Sequence, residues 1–422
     1  MVRAVIDLTV AQAVARLERR ELSAEELLGA CLLRIAEREP QVQAWEMLDA
    51  RGALEQARRI DSLPRRPLLH GVPVGIKDLI DTADLPTTYG SPIYHGHRPD
   101  SDAACVAALR AAGAVIPGKT VTTEFAAFAP GKTRNPHDPL RTPGGSSSGS
   151  AAAVADRMVP AALGSQTAGS VIRPASFCGV VGFKPTFGAF DLRGVRALAP
   201  SLDTLGFFVR AVADVPWMIA ALGGQPRPAP LELPHTPPRI GLCRTDQWPR
   251  AEAETQRLVE QAAARLERAG CSVREVELGV DGLAEAQAVI MSAEMAQSLR
   301  SESQSYDAQL SERLRSVLQQ GETCPPERLR AARDLAQRGQ RSFDALFAGV
   351  DALVTPAAAG EAPPIDTTGD PALCRIWTLI GAPCISLPVL RGPAGLPIGL
   401  QLVGARGRDA QLLAAAAWVE QV

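Results

Sequence analysis

Three segments carry residues able to form and break an acyl bond: GIKD around Lys77, TPGGSSSGSAAAVA (142–155) and GSQTAGSVIRPASFCG (164–179). Attack on a carbonyl needs a hydroxyl that loses its proton as it attacks, a proton donor for the departing group, and N–H groups facing the developing oxyanion. Serines in glycine-rich turns supply the hydroxyls and the bare backbone, and a lysine serves as base once it is neutral. The ordinary lysine pKa of about 10.4 must fall by several units for that, which burial achieves by penalising the charged form. Lys77 follows an apolar run from Val72 to Ile76, where a strand would deliver its side chain into a core. Taken singly, each piece has a plainer reading. Lys77 would be a surface lysine lying along apolar groups, residues 144–150 a flexible linker, and Ser170 a helix cap or turn residue.

Rigid elements must position these segments. Two capping boxes, Thr9 with Gln12 and Ser23 with Glu26, each open an apolar stretch of helical period, so the chain begins with packed helices. From GVPVGIKD (71–78) the texture changes to short β-branched runs separated by Gly and Pro, recurring at 114–117 and 180–183, with helical patterns at 102–112 and 151–156. Strands alternating with helices predict an α/β layered fold. A Pro-rich crossing at 225–239 leads to long polar helices between 252 and 347. Strand texture returns in DALVTP (351–356), APCISLPVL (382–390) and LPIGLQLVG (396–404), before a last helix from Arg408. The returning strands are expected to complete the sheet begun near residue 71.

Composition narrows the function classes. The 44 basic and 46 acidic residues give a net charge of −2 without long like-charge runs, so no basic stripe is present to grip a phosphate backbone. Nucleic acid is therefore not expected as a partner. The first residues alternate charge with apolar side chains and lack the apolar core of a signal peptide. No later stretch reaches the roughly 18 apolar residues of a membrane span, so a cytoplasmic location without membrane contact is expected. Eight cysteines, at 31, 105, 178, 243, 271, 324, 374 and 384, include no CxxC pair and read as free thiols in a reducing compartment. The five histidines are dispersed. His95 and His97 around Gly96 make at most half a site, and neither metal nor cofactor is expected.

Taken together, the motifs resemble the amidase signature family over most of the chain. GGSSSGSAAA (144–153) is similar to that family's Gly/Ser signature, and GSQTAGSVIRPASFCGVVGFKPT (164–186) to the stretch holding its nucleophile. The resemblance extends to GVPVGIKD, GAVIPGKTVTTEF (113–125), TRNP (133–136), GAPCISLP (381–388) and GLPIGLQLVG (395–404). It implies a single large α/β/α layered domain over 1–422 with a central mixed β-sheet. Within that domain, N-terminal helices would occupy 1–65, the catalytic core 66–215, the crossing and a helical substrate-side region 225–350, and C-terminal strands 351–422.

Carried over position by position, the resemblance makes Lys77 the base, Ser146 the proton relay after a cis peptide bond, and Ser170 the nucleophile. The backbone N–H groups of Thr167, Ala168, Gly169 and Ser170 would form the oxyanion hole. Neutral Lys77 would draw a proton through Ser146 as Ser170 attacks a carboxamide, an acyl-enzyme would form, and water would release the acid. The expected partner is a small-molecule amide, with a homodimer or a place in a hetero-complex left open. Phe125, Ile172 and Trp377 are candidates for substrate contact, with core packing as their alternative role, and residues 286–295 for a lid or wall. The chain departs from the family pattern at Gln166, where Asp is common, and at Ala168 and Ser148, where Gly is common. Ile172 stands where the family often has an arginine, with Arg173 next to it. Side-chain contacts beside the nucleophile, including an arginine anchoring a substrate carboxylate, are therefore not carried over.

Three other readings compete. GAVIPGKT (113–120) matches the P-loop pattern, but a helical pattern precedes Gly113 and Pro117 removes a backbone donor. Residues 145–149 match the GxSxG elbow with Ser147 as nominal nucleophile, but no strand run precedes it and the only later histidine, His235, lies in a Pro-rich run. The alternative within the resemblance is a subunit of a transamidation complex, or an inactive member. The balanced charge and the segment VTTEFAAF (121–128), unlike those subunits, weigh against the first. The retained Lys77, Ser146 and Ser170 weigh against the second.

Overall fold

The β-branched runs gather into one sheet in the computed structural model, which describes residues 2–64, 66–228 and 231–422. Its strands are β1 (Trp45–Leu48), β2 (Val74–Lys77), β3 (Gly118–Thr120), β4 (Ala161–Gln166), β5 (Val181–Lys184), β6 (Thr204–Val209), β7 (Arg239–Cys243), β8 (Ser272–Val276), β9 (Ala352–Pro356), β10 (Cys384–Arg391) and β11 (Pro397–Val403). The spatial order is β1-β3-β2-β4-β6-β5-β10-β11-β9-β7-β8. The sheet is mixed. β2 lies parallel to both β3 and β4, β7 lies parallel to both β8 and β9, and the strands from β4 through β6, β5, β10 and β11 to β9 alternate in direction. The C-terminal strands do more than extend the sheet: β10, β11 and β9 stand between β5 and β7 and join its two halves.

Both faces of the central strands are covered, which is why they read as nearly continuous apolar runs. Successive side chains point to opposite faces. On β4 and β6, Leu163, Phe207 and Val209 enter one apolar cluster, while Ala162 and Phe208 enter another with Ala151 to Val154 of the helix Ser148–Ala155. That helix consists almost wholly of Ser, Gly and Ala, and the close packing requires it. A Cβ on Gly149 would stand 2.2 Å from the Ala44 carbonyl oxygen and 2.4 Å from the Val121 nitrogen. Truncating Phe208, fully buried between layers, would cost about 3–5 kcal/mol.

Both expected capping boxes form, at the starts of the helices Val10–Glu18 and Ala24–Val42. The P-loop look-alike has the reverse of a phosphate loop's layout. A helix, Ala104–Ala111, precedes Gly113, and the Gly-Lys-Thr forms β3. Lys119 is committed elsewhere, to Asp78 at 3.1 Å, the Ile80 carbonyl at 2.7 Å and Thr87 at 2.5 Å. Among the described residues no helix is long and apolar enough to cross a membrane.

Candidate active site

The parallel pair β2 and β4 ends at one edge of the sheet, and the carboxyl ends of such strands are where α/β folds place ligands. Lys77 is the last residue of β2, and Ser165 and Gln166 end β4. β6 runs antiparallel beside β4, pairing Thr204 with Gln166, so Asp203 just before it reaches the same edge. Ser146 lies in the turn leading to the helix Ser148–Ala155, and Ser170 in the turn between β4 and the helix Ile172–Cys178. Elements distant in sequence thus bring Lys77, Ser146 and Ser165 together.

Lys77 is fully buried, and its amine donates to the hydroxyls of Ser146 at 2.7 Å and Ser165 at 2.9 Å. Burial pushes its pKa down to about 7, partly opposed by the negative charge of Asp203. The chain has only four lysines, and three of them, Lys77, Lys119 and Lys184, are buried. Their partners differ in kind. Lys119 faces a carboxylate, and Lys184 donates to the carbonyls of Pro185 at 2.9 Å and Ala382 at 2.5 Å, groups that only accept. The hydrogen-bond partners of Lys77 are both hydroxyls, which accept from an ammonium and equally donate to a neutral amine.

The Gly145–Ser146 peptide is cis. The Gly145 carbonyl accepts from Arg173 Nη2 at 2.7 Å, and Arg173 Nε donates to the Thr368 carbonyl at 2.7 Å. The Ser146 carbonyl accepts from the Thr123 N–H at 3.3 Å. Among the described residues, no hydrogen bond joins Ser146 to Ser170.

The loop before and at Ser170 is held from every side except its N–H side. Gln166 Oε1 accepts the N–H groups of Val171 at 2.8 Å and Ile172 at 3.0 Å, and Gln166 Nε2 donates to Thr378 Oγ1 at 3.0 Å. Thr378 in turn donates to the Ala168 carbonyl at 2.8 Å. The N–H groups of Thr167, Ala168, Gly169 and Ser170 find no protein acceptor among the described residues. Buried N–H groups are nearly always paired, so four consecutive ones without a protein acceptor are a notable feature of this turn.

Ser170 is 8% exposed and borders a narrow cavity with Phe128, Leu198, Met291, Met295 and Arg173. Arg173 Nη1 is buried without a partner, and burial lowers the guanidinium only to about 10, which leaves it charged at neutral pH. The candidates Phe125, Ile172 and Trp377 lie instead in the core behind this wall. All three are buried, and Trp377 packs against Phe343 with centroids 6.1 Å apart. Of the 286–295 stretch, Met291 and Met295 reach the cavity from the helix Leu283–Ser298. Ser147, the elbow candidate, is turned away, bonded to the Ser165 carbonyl at 3.2 Å and to the Ser165 N–H at 3.3 Å.

Sequence reasoning missed Ser165, Asp203, Gln287 and Thr378. None carried a local signal, since β4, which ends at Ser165 and Gln166, was not among the expected strands.

A family model described as Amidase matches residues 26–413. Among curated relatives, a glutamyl-tRNA(Gln) amidotransferase subunit from Thermus thermophilus is 36% identical over 96% of this chain and 95% of its own. The corresponding protein of Symbiobacterium thermophilum is 34% identical over 95% and 93%. Among solved structures, the native peptide amidase from Stenotrophomonas maltophilia superposes with a TM-score of 0.83 at 31% identity, covering 98% of this chain and 96% of that one.

Proposed function

From the premise that the chain belongs to the amidase family, we propose that it hydrolyses the carboxamide bond of a small molecule through an acyl-enzyme on Ser170. The observation that carries this reading is Lys77. It is a buried amine with a pKa near 7 and two hydroxyl partners, beside a turn with four unpaired N–H groups. Neutral Lys77 takes a proton through Ser146 as Ser170 attacks, and the N–H groups of residues 167–170 accept the oxyanion. The proton returns to the departing amine, and water repeats the sequence to release the acid. The cavity also sets a substrate preference. Arg173 Nη1, buried without a partner, favours an amide that carries a carboxylate or carbonyl near the scissile bond. The unpaired cysteines are consistent with work in the cytoplasm.

A second reading has specific support. Relatives at 34–36% identity are subunits of an amidotransferase, and they match nearly the whole chain. In that reading the same serine chemistry releases ammonia to a partner protein. One experiment separates the two. The isolated chain is treated with a fluorophosphonate, native and denatured, and the adduct is mapped by peptide mass spectrometry; ammonia release is then measured from a panel of small amides with and without a carboxylate. An adduct on Ser170 in native protein only, with turnover by the isolated chain, supports the hydrolase. Labelling without turnover until a partner is added supports the amidotransferase reading. An adduct on Ser147 removes the mechanism.

A further inference from the structure

Asp203 is buried at the catalytic edge of the sheet, and the relay described above does not use it. Its Oδ1 accepts the Thr167 hydroxyl at 2.6 Å, while Oδ2 accepts the N–H groups of Leu198 at 2.8 Å and Ala199 at 3.0 Å. Three donors aimed at one carboxyl group suit its ionised form. Each contact leads into the site. Thr167 opens the run of free N–H groups, and Leu198 forms part of the cavity wall. The Thr167 carbonyl is held separately, by Gln287 Nε2 at 2.7 Å, with Gln287 Oε1 fixed by Arg375 at 2.7 Å.

We propose that Asp203 is a positioning residue for the reaction, tying the oxyanion loop to the cavity wall through Thr167, Leu198 and Ala199. The inference rests on Ser170 acting as nucleophile. The charged groups facing Asp203 are Lys77 and, on the helix Leu283–Ser298, Glu294. Glu294 is itself bound to the Ser201 N–H at 2.9 Å, the Ser201 hydroxyl at 2.7 Å and Arg333 at 3.7 Å. Burial first, and then Glu294, push Asp203 up to about 6, against the bonds from Thr167, Leu198 and Ala199.

With four lysines in the chain, ε-13C-lysine labelling gives four NMR signals that report an intact fold. Phosphonylation of Ser170 by a fluorophosphonate is timed in the full chain as wild type, Thr167→Val, Asp203→Ser and Asp203→Asn. Asn keeps an oxygen for Leu198 and Ala199 and an N–H for the Thr167 oxygen, whereas Thr167→Val and Asp203→Ser break the tie. Those two should slow phosphonylation about tenfold with the lysine signals in place, and Asp203→Asn should restore most of the rate. Wild-type labelling rates in Thr167→Val and Asp203→Ser overturn the loop role, as does an Asp203→Asn variant no faster than Asp203→Ser. Thr167→Val alone decides the matter if Asp203→Ser does not fold. A wild-type Ser170 that stays unlabelled would sink the amidase reading and the loop role with it, whereas a labelled wild type with unslowed variants removes the loop role alone.

Discussion

Lys77 Nζ lies 2.9 Å from the Ser165 hydroxyl as well as 2.7 Å from that of Ser146, so the amine sits between two hydroxyls from different elements. Ser146 comes from a turn and can move a proton toward Ser170. Ser165 comes from β4 and has its own backbone N–H on Ser147. In the proposed mechanism Ser165 orients the amine and Ser146 carries the proton. Ser165→Ala should slow phosphonylation of Ser170 by about fivefold, the worth of one hydrogen bond of roughly 1 kcal/mol. A loss as large as that of Ser146→Ala would place Ser165 in the proton path itself.

The relay predicts a graded series. Ser170→Ala removes the atom that forms the acyl bond and should abolish turnover. Lys77→Ala and Ser146→Ala leave the nucleophile and the oxyanion turn in place, and should lower kcat by about 10²–10⁴-fold, the usual worth of general base catalysis. Circular dichroism should show all three folded. Wild-type rates in either of the last two would remove the relay.

How far the sequence reached follows from what local pattern encodes. The delivery of Lys77 by the apolar run 72–76 was legible because burial and chain direction are local properties. The strands β2, β5, β9, β10 and β11 were legible from their apolar, β-branched runs, whereas β4 was not, because AALGSQ holds no β-branched residue. The insertion of β10, β11 and β9 between β5 and β7 was not, because strand order is settled by long-range pairing. Asp203 was hidden for the same reason. It meets Thr167 only because β6 runs back along β4, and nothing in LDTLGF marks it. Phe125, Ile172 and Trp377 are large apolar side chains, which is what draws them into the core. Charge balance and the segment VTTEFAAF (121–128) weigh against the amidotransferase subunits in the sequence, but neither says which of two amide chemistries a shared site performs.

Arg173 offers a test of substrate class. Two of its nitrogens are spent on the Gly145 and Thr368 carbonyls, and Nη1 is buried without a partner among the described residues. Arg173→Lys cannot serve all three directions. It should raise KM for carboxylate-bearing amides by about tenfold more than for neutral amides of the same length, the scale of one charge-assisted hydrogen bond. Equal losses on both substrates would confine Arg173 to holding the turn before Ser146.

The last prediction joins the pH dependence of the reaction to that of the fold. A base must be neutral to accept a proton, and Lys77 loses its own near pH 7, so kcat/KM should rise with pH through about 7 and level off above it. The same burial acts on stability with a definite sign. The unfolded chain releases this proton near the ordinary lysine value of 10.5, so between about 7 and 10.5 the unfolded state binds more protons than the folded one. Stability contributed at this residue therefore grows as pH rises through that window and is lowest at pH 7 and below, where the folded protein holds a buried ammonium. Lys77→Met removes that burden while leaving the two serines without the amine, a loss of about 1–2 kcal/mol that does not vary over this range. The Tm of the variant relative to wild type should accordingly be most favourable near pH 6 to 7 and decline steadily toward pH 10. A difference in Tm that stays constant from pH 6 to 10 would mean that Lys77 does not titrate near 7, and the case for it as base would fall.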